Sequence, residues 1–126
     1  MQDEGNWRLA KADRFLAAAR RALDAADAET AISRAYYAAY HSVLAMLEAK
    51  TDATIPRRHA TLHNLLASRR DEQLLTESSR RSFRDLFAAR EVADYEERLL
   101  NRNDALVWVE AARAISAEAR KVISDG

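Results

Sequence analysis

The chain of 126 residues contains no cysteine, which excludes a disulfide framework, a thiolate metal site and a cysteine nucleophile. Glycine occurs twice and proline once. Runs of β-branched residues are almost missing too, so helix is the one regular structure the composition favours. No apolar run approaches the roughly 18 residues of a membrane span. Met1-Gln2-Asp3-Glu4-Gly5-Asn6 is acidic where an export signal is basic and then apolar. The expected location is therefore the cytoplasm. Excess charge is lacking as well, because 20 basic and 20 acidic side chains cancel. With no whole-molecule field to steer it to nucleic acid, any RNA contact has to come from a local patch.

What is present is alanine, charge and arginine. Lysine stands only at 11, 50 and 121, so nearly all the basic groups are guanidiniums, which recognise phosphate and carboxylate bidentately. The length suits one domain, with a core over about residues 7–123. Apolar spacing of three and four predicts an all-α, antiparallel up-and-down bundle of four to five helices. Asn6 is expected to cap a first helix from Trp7 to Leu23, its buried face formed by Leu9, Ala12, Leu16, Ala19 and Leu23 and widened by Phe15, Ala18 and Ala22. A tight reversal at Asp24-Ala25-Ala26-Asp27 leads to a second helix over Ala28 to Lys50. Thr51 to Ile55 reads as a loop, and Pro56 as the first-turn proline of a third helix ending near Ser68. Arg69 to Gln73 is a charged joint. Thr76 then caps a fourth helix running to about Ala93, Asp94 to Arg102 reads as a loop, and Asn103-Asp104 caps a fifth helix ending near Ile123.

The informative residues lie in the second and fourth helices. Within Ala31 to His41 the chain places Arg34, Tyr36, Tyr37, Tyr40 and His41, although tyrosine and histidine form helices less readily than alanine or leucine. Ile32, Tyr36, Ala39, Val43 and Leu47 make one apolar stripe; Arg34, Tyr37, His41 and Leu44 make a second line on the same helix. Tyr36 and Tyr40 read best as core residues with satisfied hydroxyls. Tyr37 and His41 fit a core or a site equally. Arg34 is either an anion contact or an ion-pair partner, with Asp94 as the carboxylate that would clasp the two motifs together. Later come Arg90-Glu91-Val92-Ala93-Asp94-Tyr95. His59 and His63, four apart, can face one metal, but no third ligand at fixed spacing completes a set, and nothing calls for a cofactor. The pairs Arg57-Arg58, Arg69-Arg70 and Arg80-Arg81 with Arg84 form either a phosphate-binding rim or a solvated helix face.

Ser33-Arg34-Ala35-Tyr36-Tyr37-Ala38 with His41, a histidine opening the third helix, and Arg90 shortly before Ala93-Asp94-Tyr95 together resemble the HEPN family of small helical bundles, from about Trp7 to Ile123. The resemblance implies a domain that dimerises, that is commonly paired with a minimal nucleotidyltransferase in a two-component toxin–antitoxin module, and that in many members cleaves RNA without metal; others bind nucleotides. In the cleaving members an arginine followed after four to six residues by a polar partner, typically histidine, lies at the dimer cleft. Arg90 holds the arginine position here, but Tyr95 stands five places on and no histidine follows. Metal-free cleavage needs a base, an acid and a cation near the phosphate, and tyrosine, with an ordinary pKa of about 10, is a poor base at neutral pH. The expected catalytic set is therefore Arg90, Tyr95 and His41, with Arg34, Tyr37, His59 and Asp94 as RNA- or nucleotide-binding residues. The competing expectation is a dimeric, non-catalytic interaction module.

Overall fold

The computed structural model describes residues 3–51, 58–95 and 100–125. Among them are five α-helices and one short 3-10 turn, with no strand: α1 (Asp3–Asp24), α2 (Ala28–Lys50), α3 (His59–Ser68), the turn (Arg70–Glu72), α4 (Glu77–Tyr95) and α5 (Arg102–Ser124). The sequence expectation of an all-helical bundle holds. Helix α1 starts earlier than expected, so Asn6 lies inside it instead of capping it.

The reversal between α1 and α2 is as short as the sequence suggests. The Ala26 N–H donates to the Leu23 carbonyl and the Asp27 N–H to the Ala22 carbonyl, a pattern that closes a helix with one left-handed residue. That residue is Ala26, at φ 60°, where glycine is the usual choice. Asp27 then caps α2 by accepting from the Thr30 N–H at 3.3 Å. A connection this short lays α1 and α2 side by side and antiparallel.

Helix α2 is the centre of the molecule, packed against α1, α5 and α4. Its expected stripe is buried from Ile32 through Tyr36, Ala39 and Val43 to Leu47. Ala31, Ala35, Ala38 and Ala45 are buried as well, small enough to let neighbouring helices approach. Where α2 meets α5, the Ser42 and Ser116 hydroxyls lie 2.9 Å apart, and Ser42 also donates to the Ala38 carbonyl, so neither buried hydroxyl is left unpaired. Phe83 and Leu86 of α4 and Val109, Ala112, Ile115 and Ala119 of α5 complete the core.

Three further boundaries differ from expectation. The charged joint is a 3-10 turn ending at left-handed Gln73, φ 55°. Helix α4, capped as expected by the Thr76 hydroxyl on the Ser79 N–H at 3.1 Å, continues through Asp94 and Tyr95, which were expected in a loop. Helix α5 is capped by Asn101, not Asn103. The Asn101 side chain accepts from the Asp104 N–H while Asp104 accepts from the Asn101 N–H, both at 2.9 Å, and this reciprocal pair satisfies two otherwise orphaned donors. The expected loop over 52–55, Pro56 and Arg57 lie outside the described residues.

Candidate functional site

Because α4 continues past Ala93, the Asp94 carboxylate stands one helical turn beyond Arg90, where i,i+4 side chains meet. Arg90 Nη1 donates to it at 3.3 Å and to the Tyr37 hydroxyl at 3.2 Å. Glu91 lies 3.5 Å from the other terminal nitrogen. The guanidinium also sits 5.4–5.6 Å from the ring centroids of Tyr36, Phe87 and Tyr37. Arg90 is thus only 9% exposed, while its Nε has no hydrogen-bond partner among the described residues. A buried guanidinium is tolerable only with such compensation.

The clasp expected between Arg34 and Asp94 is absent. Asp94 is committed to Arg90, and Arg34 is exposed, its guanidinium 6.0 Å from the Phe15 ring of α1. The expectation failed because it took Asp94 for a loop residue, and a loop carboxylate is not bound to its own helix.

Beside the Arg90 cluster stands His59, the first residue of α3. Its ring stacks on Phe87 at 5.2 Å and lies 5.0 Å from Tyr40, and its Nδ1 meets the Tyr36 hydroxyl. Burial drives the Tyr36 phenol far above its ordinary value, so Tyr36 is protonated and has one hydrogen to place. Nδ1 is the acceptor at hand. Burial, and then Arg90, lower the His59 pKa, so the ring is neutral near pH 7 and carries its own hydrogen on Nε2, as a donor.

His41 belongs to a different neighbourhood. It stacks on Phe15 of α1 at 5.7 Å with rings 4° from parallel, meets Trp7 edge-on, and has Nδ1 3.4 Å from Arg8 Nη1. Burial, then Arg8 and Lys11, push it down to about 4. Arg34, Tyr37 and His41 do share one line of α2, since Phe15 faces all three, but that line looks towards α1. Tyr37 bridges the two neighbourhoods through Phe15 and Arg90, and Tyr40 does so through His41 and His59. His63 packs its ring against Phe83 at 4.6 Å and Phe87 at 5.6 Å, and among the described residues no group of three or more His, Asp and Glu is arranged to hold a metal. Tyr95, the last residue of α4, is 74% exposed and makes no contact with Arg90.

Of the residues singled out in the sequence, Arg90, Tyr37, Asp94 and His59 lie together, while the nearness of Glu91 and the part Phe15 plays in gathering the α2 line were not expected. Phe15 was legible as a second buried position on α1; its partners were not. Of the expected arginine rim, Arg70, Arg80, Arg81 and Arg84 do gather between α3 and α4, with Glu77 among them.

The fold and its centre define a helical-bundle protein in which a guanidinium, a carboxylate and a phenol meet at one point between the second and fourth helices. The HEPN domain model matches residues 6–122, nearly the whole chain, and the chain belongs to the HEPN family. No curated protein matches it.

Proposed function

We propose that this chain is the RNA-targeting half of a two-component module, acting as a homodimer beside a minimal nucleotidyltransferase, and that it cleaves RNA without metal at the Arg90 centre. One observation carries the reading: a single nitrogen of Arg90, Nη1, reaches both the Tyr37 hydroxyl at 3.2 Å and the Asp94 carboxylate at 3.3 Å. Those are the three roles that metal-free phosphodiester cleavage requires. Asp94 accepts the 2′-hydroxyl proton, Arg90 offsets the charge growing on the phosphorus oxygens, and the Tyr37 hydroxyl, still holding its own hydrogen while accepting from Arg90, donates to the leaving oxygen. His59 Nε2–H adds a second donor. The family resemblance supplies the dimer and the partner.

This differs from the expected set. His41 has its Nδ1 against Arg8 and lies with α1, so its role passes to Asp94. Tyr95 is reserved for a second protomer, towards which an exposed phenol at the end of α4 can reach. In the assay that decides it, purified protein cuts single-stranded RNA in excess EDTA, and Arg90→Ala and Asp94→Asn each lose about 10²-fold or more, the usual contribution of a general acid or base. Varied RNAs left intact, or an Arg90→Ala protein as fast as its parent, would sink the reading.

A second reading has its own observation, the burial of Arg90 between two carboxylates and three rings. On that reading the cluster is a clasp that fixes α4 against α2, in a non-catalytic interaction module. Urea melts separate the two: strong coupling between Tyr37→Phe and Asp94→Asn in stability, with no cleavage by the parent, marks the clasp.

A further inference from the structure

A second feature lies across Tyr37 from the Arg90 centre. Lys11, Arg14, Phe15 and Ala18 of α1 and Arg34 of α2 line an open groove of about 330 Å³. Residues 11, 14, 15 and 18 fall on one face of α1 by helical spacing. Three cations stand on its walls, and no carboxylate lines it. Two acids close in sequence are engaged elsewhere, Asp13 with Arg120 of α5 at 2.7 Å and Glu29 with the Leu100 N–H at 2.6 Å. None of Lys11, Arg14 and Arg34 has an ion-pair partner among the described residues. In a chain whose charges cancel overall, three unpaired cations around one groove are a local field of a single sign. The arginine cluster between α3 and α4 makes a poorer site, because Arg81 is paired with Glu77 and Arg80 donates to the Leu75 carbonyl.

The floor of the groove narrows the ligand. Phe15 and Ala18 are apolar, which suits an anion with a flat apolar body better than a bare phosphate. Cations that track a backbone beside an aromatic ring are the arrangement by which proteins hold single-stranded nucleic acid. The groove also leads somewhere: Phe15 lies 5.7 Å from the Tyr37 ring, whose hydroxyl is on Arg90.

We propose that the Lys11–Arg14–Phe15–Arg34 groove is the docking track for single-stranded RNA, holding two or three nucleotides beside the bond presented to Arg90. This deepens the RNA-directed reading and rests on it. The groove supplies affinity, and the Arg90 centre supplies chemistry, so the two are separable by mutation.

The test is fluorescence anisotropy of the intact protein with a labelled oligouridine, run beside the cleavage assay. Lys11→Glu/Arg14→Glu/Arg34→Glu should weaken binding at least tenfold and lower the slope of log affinity against log salt by about two, since each phosphate contact on a single strand contributes about 0.7. The milder Lys11→Gln/Arg14→Gln/Arg34→Gln variant, checked by circular dichroism, should lose affinity in the same direction and serves if the reversal fails to fold. Arg90→Ala should lose cleavage by about 10²-fold or more while its affinity falls far less than that of the groove variant. A charge-matched control on α5, Arg102→Glu/Arg113→Glu/Lys121→Glu, should bind normally. Loss of binding in that control equal to the groove variant, displacement of RNA by polyglutamate at equal charge, or a groove variant that binds like its parent would overturn the track while leaving cleavage at Arg90 standing. RNA bound through the groove but never cut would leave the track standing and remove the reaction.

Discussion

His41 and His63 are both pushed down to about 4, in each case by burial first and then by cations, Arg8 and Lys11 beside His41 and Arg84 beside His63. In the unfolded chain each returns to its ordinary value near 6.5. Between those values the unfolded state binds protons that the folded state refuses, so stability is full above about pH 6.5 and falls as pH drops towards 4. The protein should therefore melt at a lower temperature near pH 5 than near pH 7. His63→Leu should narrow that gap, and it removes a buried Nε2 that has no partner. An identical gap in a His41→Gln/His63→Leu double variant would show that other groups control the acid limb. The individual side chains also mark where sequence reading stopped. Arg90 and Asp94 stood out from the residue pattern, but their pairing did not, because it depended on whether one more turn of helix followed Ala93.

Helix ends were harder to read than helix faces. The stripes on α2, α4 and α5 came directly from spacing, since an amphipathic helix announces its buried side in every turn. Caps are single residues, and Asn101 and Asn103 are both good candidates in composition. What chose Asn101 is the reciprocal bond with Asp104, which needs a spacing of three. The consequence is measurable in urea: Asn101→Ala should cost about 1 kcal/mol of stability, whereas Asn103→Ala should be close to neutral. Equal losses would mean that the α5 boundary lies elsewhere. At the start of α4 the polar tie is longer in range, because Glu118 of α5 accepts from the Ser79 hydroxyl and from the Thr76 N–H. No spacing rule within α4 reveals a partner 39 residues away.

For the molecule as a whole, the all-helical class follows from the sequence, from low glycine and proline and apolar spacing of three and four, and the second helix showed two occupied faces. Which face meets which neighbour did not follow. The Arg34–Tyr37–His41 line was recognised as a line, yet only the packing shows that it looks to α1 while Tyr36 looks to α4 and His59. Tertiary arrangement decides this, and three helices compete for the same central surface.

The short reversal at Asp24–Asp27 has a consequence in time. Closing so small a loop costs little chain entropy, and contacts near in sequence form early, so α1 and α2 should pair before α4 and α5 return to cover them. Ala19→Gly in α1 should then slow refolding, whereas Ala112→Gly in α5 should chiefly hasten unfolding; the opposite assignment in stopped-flow measurements would refute the order. Lys11, Arg14, Phe15 and Arg34 all belong to the first hairpin, and Arg90 does not. A newly made chain would thus acquire its grip before its blade, and a nascent protein could be captured on RNA while still unable to cut it.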